Sequence, residues 1–242
     1  MLSSLMSWFE KINRRTNRQI SPFLNVGFHG DKYLLELVAS LAKQTEIFVE
    51  TGTNVGSTLA YFGRTFPSVQ CYSCEPDKAA YREVLQNIHG LNNVGVFNLT
   101  SQEFLTVLER EHPDIFLKKT LFWLDAHGYG FEWPLRDEIA FVTSKFENAY
   151  ILIDDFKVPM LDIFGYDQYN GQVCSLEYIQ SALAHEREYR LYYPSYSEKT
   201  SGFHPLRGWG LIHWPSASFE IPTELKDKIR AGNIMLNFKA SA

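Results

Sequence analysis

The stretch Ile47-Phe48-Val49-Glu50-Thr51-Gly52-Thr53-Asn54-Val55-Gly56-Ser57-Thr58 decides how this chain folds. Its apolar opening is too short for a helix and is cut off by glycine, the pattern of a buried strand. Gly52 and Gly56 let the backbone turn sharply and approach a ligand with no side chain in the way, and Gly56 opens a helix expected over residues 56–66. Strand, glycine turn and helix form the first unit of a parallel sheet.

Downstream the same alternation continues. Strands are expected over residues 69–73, 94–97, 120–124 and 150–153, with helices between them: one capped by Asp77, one over 101–111, and one with Pro134 in its first turn. A helix over 175–188 and two late strands, 190–193 and 210–213, close the pattern. The expected fold class is α/β: a doubly wound, mostly parallel seven-stranded sheet with a Rossmann-like layout, whose ligands bind beyond the carboxyl ends of the strands where strand order reverses.

Upstream, Gly30-Asp31 caps a helix through Leu41, and residues 1–20 read as an amphipathic helix. Leu2, Leu5, Met6, Phe9 and Ile12 share one of its faces, with Lys11, Arg14, Arg15 and Arg18 toward its end. Packing on the domain or on a second subunit, as in a homo-oligomer, is one reading of that helix; an anionic membrane surface is the other. Residues 1–43 are therefore expected as an N-terminal helical extension and 44–242 as the α/β domain.

A 242-residue chain with 45% apolar and 21% charged residues is long enough and apolar enough for one large core. Its net charge of -5 gives no general attraction for phosphate backbones, so a nucleic-acid partner is not expected. No apolar run reaches the roughly 20 residues that span a bilayer, so no transmembrane segment is expected. Cys71, Cys74 and Cys174 make neither an even disulfide set nor a zinc set; Cys71 and Cys74 fall inside a strand and read as buried thiols. Reduced thiols and the lack of a signal-peptide pattern set the cytoplasm as the expected location.

Glu75, in Cys74-Glu75-Pro76-Asp77, ends the second strand beside the glycine turn. A carboxylate there can accept both hydroxyl hydrogens of a ribose, while Asp77 caps the following helix. The dinucleotide fingerprint G-x-G-x-x-G, started at Gly52, would need glycine where Asn54 and Ser57 stand. That disfavours a nicotinamide or flavin cofactor.

Residues 48–57 followed by Cys74-Glu75-Pro76 resemble the glycine motif and the acidic strand-two motif of class I S-adenosylmethionine-dependent methyltransferases. Asn25-Val-Gly-Phe-His-Gly-Asp-Lys-Tyr-Leu-Leu35 is similar to the lead-in segment of small O-methyltransferases. Leu121-Phe-Trp-Leu-Asp-Ala-His127, Pro134-Leu-Arg-Asp-Glu138 and Ile151-Leu-Ile-Asp-Asp-Phe156 resemble segments of uncharacterised bacterial methyltransferase-like proteins. The resemblance implies an S-adenosylmethionine cofactor. Glu50, Gly52, Thr53, Asn54, Gly56 and Ser57 would face its methionine end and Glu75 its ribose, with Asn98, Ser101 and Asp125 also lining the site. Many relatives carry Gly-Asp-Ala or Gly-Asp-Ser after the third strand, where this chain has Asn98-Leu99-Thr100-Ser101.

Asp125 ends the fourth strand and Asp154-Asp155 the fifth. Neighbouring strands lie about 4.8 Å apart, so these carboxylates can converge on one magnesium or other hard divalent cation. By resemblance to metal-dependent O-methyltransferases, that ion would bind and acidify the acceptor hydroxyl. Bracing of turns and helix ends is the alternative role. His127 is the candidate general base or extra ligand, with Asp125 the other catalytic candidate. Lys157 is a weaker candidate, because those enzymes place a lysine where this chain has Gly128. Residues 162–172, 192–196 and 204–209 carry the Tyr, Trp and His content of an acceptor pocket.

The activity expected is methyl transfer to a hydroxyl of a small molecule or glycan. A nucleotide-dependent oxidoreductase or sugar-modifying enzyme on a similar sheet is the second reading, and a non-catalytic binding module the third.

Overall fold

The computed structural model describes residues 26–127, 133–198, 206–214, 220–232 and 234. The helix expected over 1–20, Gly128 and His204 lie outside the described residues.

Asp31 begins the first helix by accepting hydrogen bonds from the Tyr33 and Leu34 amides, and α1 (Lys32–Ala42) then buries Leu34, Leu37, Val38 and Leu41 at helical spacing. These four share one core with Phe28 and with β1 (Ile47–Thr51), every residue of which is buried. Packing is therefore continuous across residue 43. Phe28 and His29 both sit in the left-handed backbone region, at φ 56° and 55°. The Phe28 ring meets Trp123 edge-on at 4.9 Å, and its burial holds this costly conformation in place.

From β1 the chain passes through α2 (Ser57–Thr65), β2 (Gln70–Cys74), α3 (Lys78–Asn87), β3 (Val94–Phe97), α4 (Ser101–Glu111), β4 (Thr120–Leu124), α5 (Leu135–Lys145) and β5 (Ala149–Ile153). Asp77 caps α3 through the Ala79 and Ala80 amides, and Thr100 with Glu103 forms a capping box on α4. A short hairpin, β6 (Gln168–Tyr169) and β7 (Gln172–Val173), turns at Asn170-Gly171, where φ is 49° and 80°. After α6 (Leu176–Ile179) come β8 (Arg190–Pro194), β9 (Gly210–His213) and β10 (Ile229–Gly232).

The main sheet has the order β10-β8-β9-β5-β4-β1-β2-β3. β1 to β5 are parallel, while β9 runs antiparallel to β5 and β8, and β10 antiparallel to β8. The chain winds outward from β1 to β3, then returns to β4 on the other side of β1. The crevice between the ends of β1 and β4 is the switch point.

Two expectations need correction. The sheet has eight strands instead of seven, because β10 joins its edge; Ile229-Arg-Ala-Gly carries a single large apolar residue and shows no strand pattern. The helix expected over 175–188 stops early: after α6 a 3-10 turn over Gln180–Ala182 gives way to extended backbone at Leu183. Tertiary bonds override helix propensity there, since Thr143 accepts the Ala184 amide and the Arg187 guanidinium bonds the Phe146 carbonyl. All three cysteines are free and buried, and burial pushes the Cys71 thiol up to about 12.

Among the described residues no helix is long and apolar enough to cross a membrane.

Candidate active site

At the end of β1 the backbone reverses at Gly52, whose φ of 75° and closeness to β4 exclude a side chain: an added Cβ would lie 2.6 Å from the Asp125 carbonyl oxygen. The turn is closed by the Thr53 amide on the Cys74 carbonyl (3.0 Å) and the Gly56 amide on the Thr53 carbonyl (2.7 Å). Gly56, at φ 81°, begins α2 against Val84.

Glu75, 8% exposed, sits beside this turn. One carboxylate oxygen accepts the Asn54 amide and the other the Asp77 amide, each at 2.8 Å. Two fixed amides aim the carboxylate and leave further lone pairs on each oxygen. Burial raises its pKa, with the two amides pulling the other way. The Asn98 side-chain amide donates to the Glu75 and Pro76 carbonyls at 2.8 and 3.0 Å, tying the end of β2 to the end of β3.

Glu50 lies beneath the turn. It accepts from the Thr53 hydroxyl and, at 2.9 Å, from the Ser73 hydroxyl. Burial drives its pKa up to about 7 despite these donors.

A cleft of about 690 Å³ opens over the switch point, a size that takes a drug-sized ligand. Of the residues expected at the cofactor, Gly52, Asn54, Glu75, Ser101 and Asp125 line it, as does His127. Glu50, Thr53, Gly56 and Asn98 brace the turn and strand ends around it, while Ser57 begins α2 without lining it. Pro76, Asp77 and Pro134, read from the sequence only as motif and helix-start residues, also line it, as do Thr100, Gln102, Glu103 and Ala126, which the sequence assigned no site role.

One buried acid lay within a quoted motif without a role. Glu138 on α5 is fully buried near Ser101, and burial raises its pKa to about 7, with the hydroxyls of Ser101 and Thr51 opposing.

The ends of β4 and β5 are built differently. Asp154, buried, receives the His29 Nε2 at 2.8 and 2.7 Å on its two oxygens and the Asp155 amide at 2.8 Å. Burial would raise its pKa, but His29 holds it below the usual carboxylate range. His29 in turn is lowered by burial and raised further by Asp154, ending above its ordinary value.

Asp155, at φ 49°, faces Arg207: Nε lies 2.6 Å from Oδ1 and Nη2 3.0 Å from Oδ2, and Nη2 also reaches Asp167 at 3.3 Å. Burial and the Asp154 and Asp167 charges push Asp155 up to about 8, against Arg207 and His29. Asp125 is raised well above its usual range by burial and by the Asp154, Asp155 and Glu50 charges. The exposed His127 ring lies 3.8 Å from Asp125 and 3.3 Å from Asp167.

A hard divalent ion needs several carboxylate lone pairs aimed at one point. Among the described residues, the groups whose ligand atoms all lie within 4.8 Å of one another are His29 with Asp154 and Asp155, and His127 with Asp155 and Asp167. The expected trio Asp125, Asp154 and Asp155 is not such a group: Asp125 and Asp154 lie within hydrogen-bonding reach of each other, but Asp154 also pairs with His29 and Asp155 with Arg207. With both carboxylates already matched by protein cations, these residues do not fit a shared divalent ion. Lys157 is directed elsewhere, with its ammonium 5.4 Å from the Tyr166 ring. His29, Asp167 and Arg207 escaped the sequence reading.

The strand order and the glycine turn at the switch point give a Rossmann-like fold that the chain shares with solved O-methyltransferases. The chain is similar to the O-methyltransferase from Bacillus cereus solved in complex with S-adenosylhomocysteine, at TM-score 0.56 and 14% identity over 87% of this chain and 90% of that one. It is also similar to TomG, the Streptomyces achromogenes O-methyltransferase involved in tomaymycin synthesis and solved with S-adenosylmethionine, at TM-score 0.53 and 16% identity over 84% and 85%. The chain matches no protein-family model and no curated protein.

Proposed function

We propose that this chain is an S-adenosylmethionine-dependent methyltransferase acting on a hydroxyl of a small molecule or glycan. The observation that carries the reading is the Glu75 carboxylate, aimed by the Asn54 and Asp77 amides into a cleft beside the Gly52 turn. The fold shared with O-methyltransferases supports it.

Glu75 holds the ribose hydroxyls, and Gly52 and Asn54 let the rest of the nucleoside approach the backbone. Ser101 and Gln102, at the start of α4, line the adenine side. When bound, S-adenosylmethionine supplies a methyl on a sulfonium; the acceptor oxygen forms the new bond as the carbon–sulfur bond breaks, leaving S-adenosylhomocysteine. Asp125, with its raised pKa, takes the acceptor's proton at the cleft edge, and His127 beside it passes the proton to solvent. The remainder is positioning of the acceptor in line with the methyl group.

A thermal-shift comparison tests the cofactor class. S-adenosylhomocysteine should raise the melting temperature and NAD should not, since Asn54 and Ser57 replace two fingerprint glycines. Stabilisation by NAD alone would instead support the oxidoreductase reading.

A further inference from the structure

We propose that Arg207 and His29 are the counter-cations of the strand-end carboxylates, so that this site works without a divalent ion. The proposal rests on the methyltransferase reading for what the site does, and on ion-pair geometry for how it is balanced.

Asp154 and Asp155 are adjacent in sequence and both are buried, an arrangement that is costly unless each charge is matched. Each faces a cation from a different part of the chain. Arg207 hydrogen-bonds Asp155 Oδ2 through Nη2 at 3.0 Å, brings Nε to 2.6 Å from Oδ1 as an ion-pair contact, and reaches on to Asp167 at 3.3 Å, giving one cation shared by two acids. His29 covers both oxygens of Asp154. An ion bridging these carboxylates would have to displace a planar, permanently charged guanidinium already held against Asp155 and Asp167.

The backbone keeps Arg207 in place. The Gly208 amide bonds the Gly165 carbonyl at 2.8 Å, the Phe156 amide bonds the Gly208 carbonyl at 2.9 Å, and the Asp167 amide bonds the Asp155 carbonyl at 2.9 Å. A Cβ on Gly208 would fall 2.0 Å from the Phe156 carbonyl oxygen, so the segment leading into β9, which carries Arg207, lies directly against the turn after β5, which carries Asp155. His29 is likewise fixed, by the buried Phe28 before it and the capped α1 after it. Both are positioning residues: they set the charge and direction of acids at the edge of the acceptor site.

The test uses the full chain after treatment with a chelator. Manganese is titrated calorimetrically into wild type, Arg207→Met and Asp155→Asn, and S-adenosylhomocysteine is titrated into each with and without chelator. Wild type should show no saturable manganese binding and the same S-adenosylhomocysteine affinity in both buffers. Arg207→Met should gain saturable manganese binding, because Asp155 and Asp167, grouped with His127, are then left without their cation, a gain that loss of a merely structural contact would not produce. Saturable binding to wild type that Asp155→Asn abolishes would overturn the proposal, as would a folded Arg207→Met that stays blind to manganese. If Arg207→Met does not fold, the wild-type titration decides alone. Absence of S-adenosylhomocysteine binding would remove the methyltransferase reading and leave the charge balance standing, whereas manganese binding to wild type would do the reverse.

Discussion

The ends of β1 and β2, beside the cleft, and the ends of β4 and β5 solve the problem of buried acids in opposite ways. At the ends of β1 and β2, Glu50 and Glu75 are met by neutral donors from nearby in the chain: Thr53 and Ser73 for one, the Asn54 and Asp77 amides for the other, at separations of 2 to 23 residues. At the ends of β4 and β5, Asp154 and Asp155 are met by cationic side chains from 125 and 52 residues away. Neutral donors orient a carboxylate but leave it free to bind hydroxyls, which suits a site for a ribose. Ion pairs hold a carboxylate in place, which suits the edge where the proposed acceptor would lose its proton.

The ends of β1 and β2 should fail most sharply. Gly52→Ala places a Cβ against the Asp125 carbonyl in a left-handed turn, and should cost about 2 kcal/mol or more of stability. It should also abolish S-adenosylhomocysteine binding; a variant with wild-type melting and affinity would show that the turn is not the constraint proposed.

Glu75→Ala removes the proposed acceptor of ribose hydroxyls and leaves the amides of Asn54 and Asp77 without it. A loss of roughly 1.5–3 kcal/mol in binding, tenfold to over a hundredfold in affinity, is expected by calorimetry. An unchanged affinity would transfer the ribose to another residue.

The ends of β4 and β5 should respond to pH. His29 has a folded pKa above its ordinary 6.5, so its pairing with Asp154 contributes fully below about pH 6.5 and is lost as pH rises through the raised value. Asp154, held below its usual range, keeps its contribution until pH falls below about 3.8. Between those limits, melting curves of His29→Gln should fall furthest below wild type, and the gap should narrow on the alkaline side. A gap constant from pH 5 to 9 would contradict the ion pair.

The smallest expected effect separates the cleft from its floor. Glu138, with a pKa raised from 4.5 to about 7, contributes stability in its neutral form that is lost as pH rises through that window. Glu138→Gln should therefore melt with less pH dependence than wild type from about pH 5 to 8, with S-adenosylhomocysteine affinity little changed.

How much of this was legible follows the same divide. The glycine turn, Glu75 and the Asp77 cap were readable because their partners are local and the residue types have narrow uses. The alternating strands carried the parallel sheet through β5, each βα unit announcing itself by apolar runs and caps. β10 was not readable, because an edge strand of Ile, Arg, Ala and Gly has no pattern of its own. Asp125, Asp154 and Asp155 could be found, but not their grouping: that depends on a left-handed Asp155 and on Arg207 brought in from beyond β8. His29 stood inside a quoted segment, yet nothing in the residues around it points across the sheet to Asp154.

The most direct test of the central claim is calorimetric titration of S-adenosylhomocysteine into the purified full chain. One molecule should bind per chain, competing with S-adenosylmethionine and dependent on Glu75. A flat titration with folded protein would contradict the claim that this carboxylate and the adjoining glycine turn form a nucleoside site.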